Sequence, residues 1–267
     1  MSTTRVITSV VLVPALLLAV WFLPPAYFAW VAVLAAAIGQ HELYAMARVR
    51  GIAPLPVTGI ALGAALIMSM ARAYHPVSGG PFQLVMVSVL LVLTVRLFAR
   101  RPVEGAFEDI AATLLGVFYV ALLFGYQVSI HAGFGGKRWL LFLYFVIWAS
   151  DIGAYYVGTA YGKHRLYEKI SPKKSVEGLL GGAAASMVVA LICKFWFVSS
   201  LHWFEALLVG LGLAIVGTVG DLAESLLKRS VGVKDSGTII PGHGGILDRL
   251  DSIMFAAPAL FYYLRMR

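Results

Sequence analysis

Charge is what this sequence has least of. Only 13% of its 267 residues are Asp, Glu, Lys or Arg, against about 25% in soluble domains. With 60% hydrophobic residues and a mean hydropathy of +0.87, a water-soluble globular fold is excluded, and the chain reads as an integral membrane protein. Cysteine is nearly absent. The single Cys193 sits in an apolar run and rules out an internal disulfide, while leaving the redox compartment open. There is no Walker loop, no Cys/His zinc spacing and no G-x-S-x-G elbow, so acyl-enzyme hydrolysis has no support. Repeats, low-complexity tracts and a soluble domain are missing too. The net charge of +8 reads, in a membrane protein, as basic cytoplasmic loops rather than nucleic-acid binding.

What is present is apolar sequence of membrane-spanning length, judged against the roughly 20 residues a bilayer core requires. Nine candidate spans fall at about 6–23, 26–47, 55–74, 82–99, 109–130, 138–160, 177–198, 205–227 and 251–265. The first is too long for a signal-peptide core and has no clear cleavage site before Pro24 and Pro25, so it is kept as a span. The expected fold class is therefore all-α: a polytopic membrane helix bundle with about nine transmembrane helices. Residues 1–130 read as N-terminal scaffold helices, presenting a lipid-facing or dimer surface, and 131–267 as the catalytic helices with two longer polar connections. These connections, Gly162 to Val176 and Lys228 to Leu250, have two spans between them and must open on the same side. If that side is cytoplasmic, the N-terminus is inside, and fifteen Lys and Arg lie inside against five outside. That distribution agrees with the positive-inside rule.

The densest polar stretch runs from Asp221 to Asp251. Helical spacing places Asp221, Ser225 and Lys228 on one face, with Glu224 one turn before Lys228. A carboxylate at membrane depth costs roughly 2.5–3.5 kcal/mol, so it needs a partner or water. Glu224 and Lys228 answer this by pairing. Asp221 has no basic residue at helical spacing except Lys228, which favours a functional role. Downstream, Lys234, His243 and the glycines 237, 242, 244 and 245 form a loop suited to phosphate, leading into Asp248, Asp251 and Ser252. Read alone, Asp248 and Asp251 cap a helix and pair with Arg249. Beside Asp221, Lys228, Lys234 and the glycines, they read instead as hard oxygen ligands for Mg²⁺ with substrate phosphates.

A second cluster comes earlier. Asp151 interrupts an aromatic-rich span and is expected to face the bundle interior or a water-filled cavity. Hydrogen bonding to Tyr155 and contact with substrate explain it equally well. Ser175 is expected to N-cap the seventh span, with Glu177 in its first turn. Lys173 and Lys174 answer equally to phosphate binding or to ordinary inside charge. His41, Glu42 and His131 read as hydrogen-bonded bundle residues rather than ligands.

The run from Ser225 through Lys228, Arg229, Lys234, Asp235, Ser236, Gly237, Pro241, His243 and Gly245 to Asp248, Arg249 and Asp251 resembles the signature of phosphatidate cytidylyltransferases. The segments Ser171–Gly178 and Ser150–Ala154 look like that family's upstream motifs, with a departure at Ile152, where the family more often has a small hydroxyl residue. The resemblance covers about 150 to 251, and the first 130 residues by hydropathy alone. It implies transfer of CMP from CTP to phosphatidic acid, in the cytoplasmic membrane and on its cytoplasmic side. It also implies Mg²⁺ on Asp221 and Asp248, a second cation such as K⁺, and a homodimer. Lys228 and Asp251 join those two aspartates as catalytic candidates. Ser175, Lys173, Lys174, Ser225, Arg229, Lys234, His243 and Asp151 are the substrate-binding candidates. A CTP-dependent lipid-alcohol kinase and an anion transporter are the rival expectations. The kinase would release CDP rather than pyrophosphate. Two long loops on one face and the lack of repeat halves count against the transporter.

Overall fold

Long apolar runs become helices in a bilayer because only internal hydrogen bonds can satisfy their backbone there. The computed structural model follows that rule. It describes residues 3–71, 81–239 and 244–267. The chain divides into two compact units, Met1–Gly133 with Ser230–Arg249, and Phe134–Arg229 with Leu250–Arg267.

The first unit contains α1 (Thr3–Phe22), α2 (Pro25–Val49), α3 (Pro56–Ala71), α4 (Pro81–Phe98), α5 (Ala106–Leu115), a π-helical stretch (Gly116–Leu122) and α6 (Leu123–Ala132). Leu55, Leu62, Leu66, Val92 and Val117 form one of its apolar clusters. Polar side chains then fix how the helices meet. The Tyr44 hydroxyl donates to the Thr113 carbonyl at 3.0 Å and Gln40 Nε2 to the Gly59 carbonyl at 2.9 Å. Tyr44 fits because Gly59 and Gly116 lack a Cβ, which at either position would overlap its ring. Arg96 Nε binds Asp109 Oδ2 at 2.9 Å while Asp109 Oδ1 accepts from Ala53 N at 2.7 Å, tying α4 and α5 to the α2–α3 connection. His131 Nε2 lies 2.8 Å from the Val20 carbonyl and its ring stacks on Phe28. The expectation of a hydrogen-bonded bundle residue holds there.

The second unit contains α7 (Gly136–Tyr161), a hairpin of β1 (Arg165–Tyr167) and β2 (Ser171–Ser175), α8 (Val176–Trp196), α9 (Trp203–Ser230) and most of α10 (Leu247–Met266). The hairpin corrects the all-α expectation locally. Its strands pair antiparallel, Arg165 opposite Ser175 and Tyr167 opposite Ser171. Helices α7 and α8 cross through small residues. A Cβ on Gly153 would lie 2.7 Å from the Gly181 carbonyl, and one on Gly182 at 2.7 Å from the Ser150 carbonyl. Gly220 admits α10 in the same way, a Cβ there lying 2.6 Å from the Asp251 carbonyl, whereas one on Gly217 would lie 2.9 Å from the Ile147 side chain.

Among the described residues, four helical stretches are long and apolar enough to cross a membrane: Ala106–Ala132, Gly136–Tyr161, Val176–Trp196 and Trp203–Ser230. Val10–Phe22, Pro56–Ala71 and Phe82–Phe98 are shorter apolar helices. The chain is thus a helical membrane protein with several further apolar helices.

Candidate active site

In the second unit the candidate residues come from the end of α9, the hairpin and the part of α10 that begins at Leu250. Helix α9 puts Asp221, Glu224, Ser225 and Lys228 on adjoining turns. Glu224 is fully buried, and Lys228 Nζ lies 3.1 Å from its Oε2. The expected intrahelical pair is therefore present. Asp221 takes its cation from elsewhere: Lys174 Nζ, on β2, lies 2.6 Å from Asp221 Oδ2. The Ser225 hydroxyl approaches Oδ1 of the same carboxylate at 3.4 Å. Helical spacing could find Ser225 and Lys228 for Asp221, but not Lys174, which the hairpin brings in from 47 positions earlier.

The hairpin is held by capping. The Ser175 hydroxyl accepts from Gly178 N at 3.1 Å, as the N-cap expectation requires. Glu177 accepts from Lys163 N at 3.1 Å and from His164 N, and His164 Nδ1 sits 2.6 Å from its Oε1. Arg229 Nε donates to the Ile170 carbonyl at 3.3 Å, joining the α9 terminus to the turn between the strands. Lys173 is exposed beside the half-buried Lys174. Asp251 lies on the first turns of α10, its Oδ1 accepting from Ser252 N at 2.6 Å. Asp151 is exposed on α7 with Ile152, Tyr155 and Tyr156.

The first unit holds the signature loop, with its own candidate residues. Gly232, at φ +79°, turns the chain out of α9 in the left-handed conformation glycine tolerates best. Lys234 and Asp235 are exposed and Ser236 is buried. Asp248 Oδ2 accepts from Ser236 N at 2.9 Å, Ser236 Oγ at 3.0 Å and Gly245 N at 2.9 Å. Gly244 has φ +84°, and a Cβ on it would lie 2.7 Å from that same oxygen. His243 lies outside the described residues. Sequence spacing sees Glu42 only as a polar bundle residue. In the structure it accepts from Ser236 Oγ, Ile246 N and Leu247 N at 3.1, 3.0 and 2.9 Å. The signal for it was a carboxylate in the apolar run of α2.

Among the described residues no three His, Cys, Asp or Glu side chains are grouped to hold a metal ion. An all-protein cage is not what Mg²⁺ needs, because it binds through one or two carboxylates plus substrate oxygens and water. The donors at hand are carboxylate oxygens, and an ammonium already rests against Asp221 at 2.6 Å. Carboxylate oxygens are the donor type a hard cation takes.

Carboxylates and lysines at the end of an apolar helix in one unit, and a glycine-rich loop closed on Asp248 in the other, are each of a kind that suits phosphate chemistry at a membrane surface. Residues 3–267 match the model of the Cytidylyltransferase family, and the chain belongs to that family. It is similar to proteins named phosphatidate cytidylyltransferase in several bacteria. The one from Synechocystis sp. is 35% identical over 99% of this chain and 97% of its own length. Those from Staphylococcus haemolyticus and Bacillus subtilis are 38% and 33% identical, covering 86% and 87% of both chains respectively.

Proposed function

We propose that this protein transfers CMP from CTP to phosphatidic acid, giving CDP-diacylglycerol and pyrophosphate. The family match over residues 3–267, which takes in every polar group described above, is the observation that carries this reading. The chemistry explains the residue types. A phosphate oxygen of the lipid must reach the α-phosphorus of CTP, so two anions have to meet in a poorly screened place, where Coulomb repulsion is the main obstacle. Lys174, Lys228, Arg229 and Lys234 offset that charge and orient the triphosphate. Ser225 and Asp251 steady the α9 and α10 groups. No protein nucleophile is required, because the attacking oxygen belongs to the substrate and is largely ionised near neutral pH. A divalent cation, assigned on the signature to Asp221 and Asp248, would neutralise phosphate charge and align the attacking and leaving oxygens. The same reading places nine spans in the cytoplasmic membrane, N-terminus inside, with the chemistry on the cytoplasmic face.

The test is purified protein in detergent with labelled CTP, phosphatidic acid and Mg²⁺, resolving both lipid and phosphate products. Pyrophosphate with CDP-diacylglycerol is expected. Release of CDP would replace this reading with lipid phosphorylation. In the same assay Asp221→Asn and Asp248→Asn stay folded and lose CMP transfer, and Asp151→Asn is milder. Near-normal turnover by either of the first two would remove the metal assignment.

A further inference from the structure

Glu42 belongs to α2, about 200 residues before the loop it touches, and it is 3% exposed. A buried carboxylate has to be matched by donors or it destabilises the fold. Here all three donors come from the signature loop and the start of α10: Ser236 Oγ, Ile246 N and Leu247 N. The last two lie at the N-terminal boundary of α10, Ile246 just before it and Leu247 its first residue, where amides have no partner within the helix. A carboxylate there also faces the positive end of the helix. The next residue after Leu247 is Asp248, whose Oδ2 takes Ser236 N, Ser236 Oγ and Gly245 N.

The Ser236 hydroxyl thus lies 3.1 Å from Glu42 and 3.0 Å from Asp248, and its one proton can be donated to only one of them at a time. When Asp248 turns to a substrate or cation, the proton can pass to Glu42 without the loop letting go. The loop backbone closes on Glu42 so tightly that side chains do not fit. A Cβ on Gly237 would come within 2.6 Å of Glu42 Oε1, and one on Gly245 would overlap both Glu42 Oε2 and Ser236 Oγ.

We propose that Glu42 is a positioning residue for CMP transfer: from the N-terminal helices it fixes the signature loop and the first turn of α10, so that Asp248 is presented in one place. The inference rests on the function proposed above.

The test uses full-length protein in detergent carrying Glu42→Gln, Gly237→Ala, Ser236→Ala, or Glu42→Gln with Ser236→Ala. Glu42→Gln turns one acceptor oxygen into a donor facing an N–H or O–H. Hydrogen exchange at Ile246 and Leu247, and trypsin cleavage after Lys234, are read first and need no turnover. Both are expected to speed up about tenfold in Glu42→Gln and Gly237→Ala, with the thermal midpoint of the remaining helices little changed. In the CTP assay kcat is expected to fall about 10–100-fold and the half-saturating Mg²⁺ concentration to rise, the scale on which groups supporting a ligand act, while KM for phosphatidic acid shifts less than threefold. The double variant should be no worse than the poorer single one, since both cut the same tether. Unchanged exchange in Glu42→Gln, or a loss of activity that follows only the fraction unfolded, would overturn the proposal. If wild-type protein makes no CDP-diacylglycerol, the function fails instead, and the exchange data still decide whether Glu42 holds the loop.

Discussion

Lys174 and Lys228 each sit against a carboxylate, yet their surroundings make them different kinds of residue. The Lys174 and Asp221 side chains retain 24% and 32% exposure, so water still reaches the carboxylate when its cation is removed. Lys174→Met is therefore expected to leave the thermal midpoint in detergent within a few degrees. CDP-diacylglycerol formation should fall about 10²–10³-fold, the usual loss on deleting one preorganised charge-stabilising donor. Loss of stability without loss of activity would make the Lys174–Asp221 pair a strut. Lys228 is 10% exposed over a fully buried Glu224, so Lys228→Met strands a buried charge, at a cost of about 3–5 kcal/mol. Glu224→Leu with Lys228→Met removes both charges and is expected to recover most of that stability, because buried pairs replaced by apolar groups are often neutral. If Lys228 orients phosphate, the double variant stays inactive; equilibrium unfolding and turnover, measured side by side, separate the two roles. These partnerships were unevenly legible. Glu224 and Lys228 lie one helical turn apart and could be paired on paper. Asp221 with Lys174, and Glu42 with Ser236, depend on tertiary approach across 47 and 194 positions, which no local period encodes.

At the scale of elements, hydropathy located the helices because length and apolarity are what a bilayer selects. It did not locate the hairpin. Ser171, Pro172, Lys173 and Lys174 show no apolar alternation, and the strands form because capping at Ser175 and Glu177 pins both ends of the connection. The π-helical stretch from Gly116 to Leu122 was hidden too, and so was the close approach of Tyr44 that Gly116 permits. The crossing of α7 and α8 tests what glycine does in such a bundle. At Gly153 and Gly182 an added Cβ would face backbone carbonyls at 2.7 Å, which cannot swing aside. Gly153→Ala and Gly182→Ala must therefore push the helices apart, at about 1–3 kcal/mol each, seen as lower thermal midpoints in detergent. Gly212 has nothing within 4 Å of its would-be Cβ. Gly212→Ala should be neutral or raise stability by up to about 1 kcal/mol through helix propensity. Equal effects at all three positions would mean that the close approach carries no energy.

For the molecule as a whole, orientation in the membrane follows from charge at the ends of a helix whose length is now defined. Helix α7 has 26 residues, Gly136–Tyr161, about 39 Å at 1.5 Å per residue, more than the roughly 30 Å of hydrocarbon it must cross. Its two ends then lie on opposite sides. Lys137 and Arg138 stand at its start, whereas Lys163, Arg165, Lys169, Lys173 and Lys174 follow its end. Basic residues near short loops stay in the cytoplasm, so the hairpin is expected inside and the α6–α7 turn outside. Cys193 is 1% exposed and gives little background to a thiol reagent. Phe134→Cys, at a position 98% exposed in that turn, should react with a membrane-impermeant maleimide on intact cells. Glu168→Cys, exposed between the hairpin strands, should react only after permeabilisation. The opposite pattern would put Lys174 and the α9 terminus on the outer face, where cellular CTP is absent, and the proposed reaction could not run there.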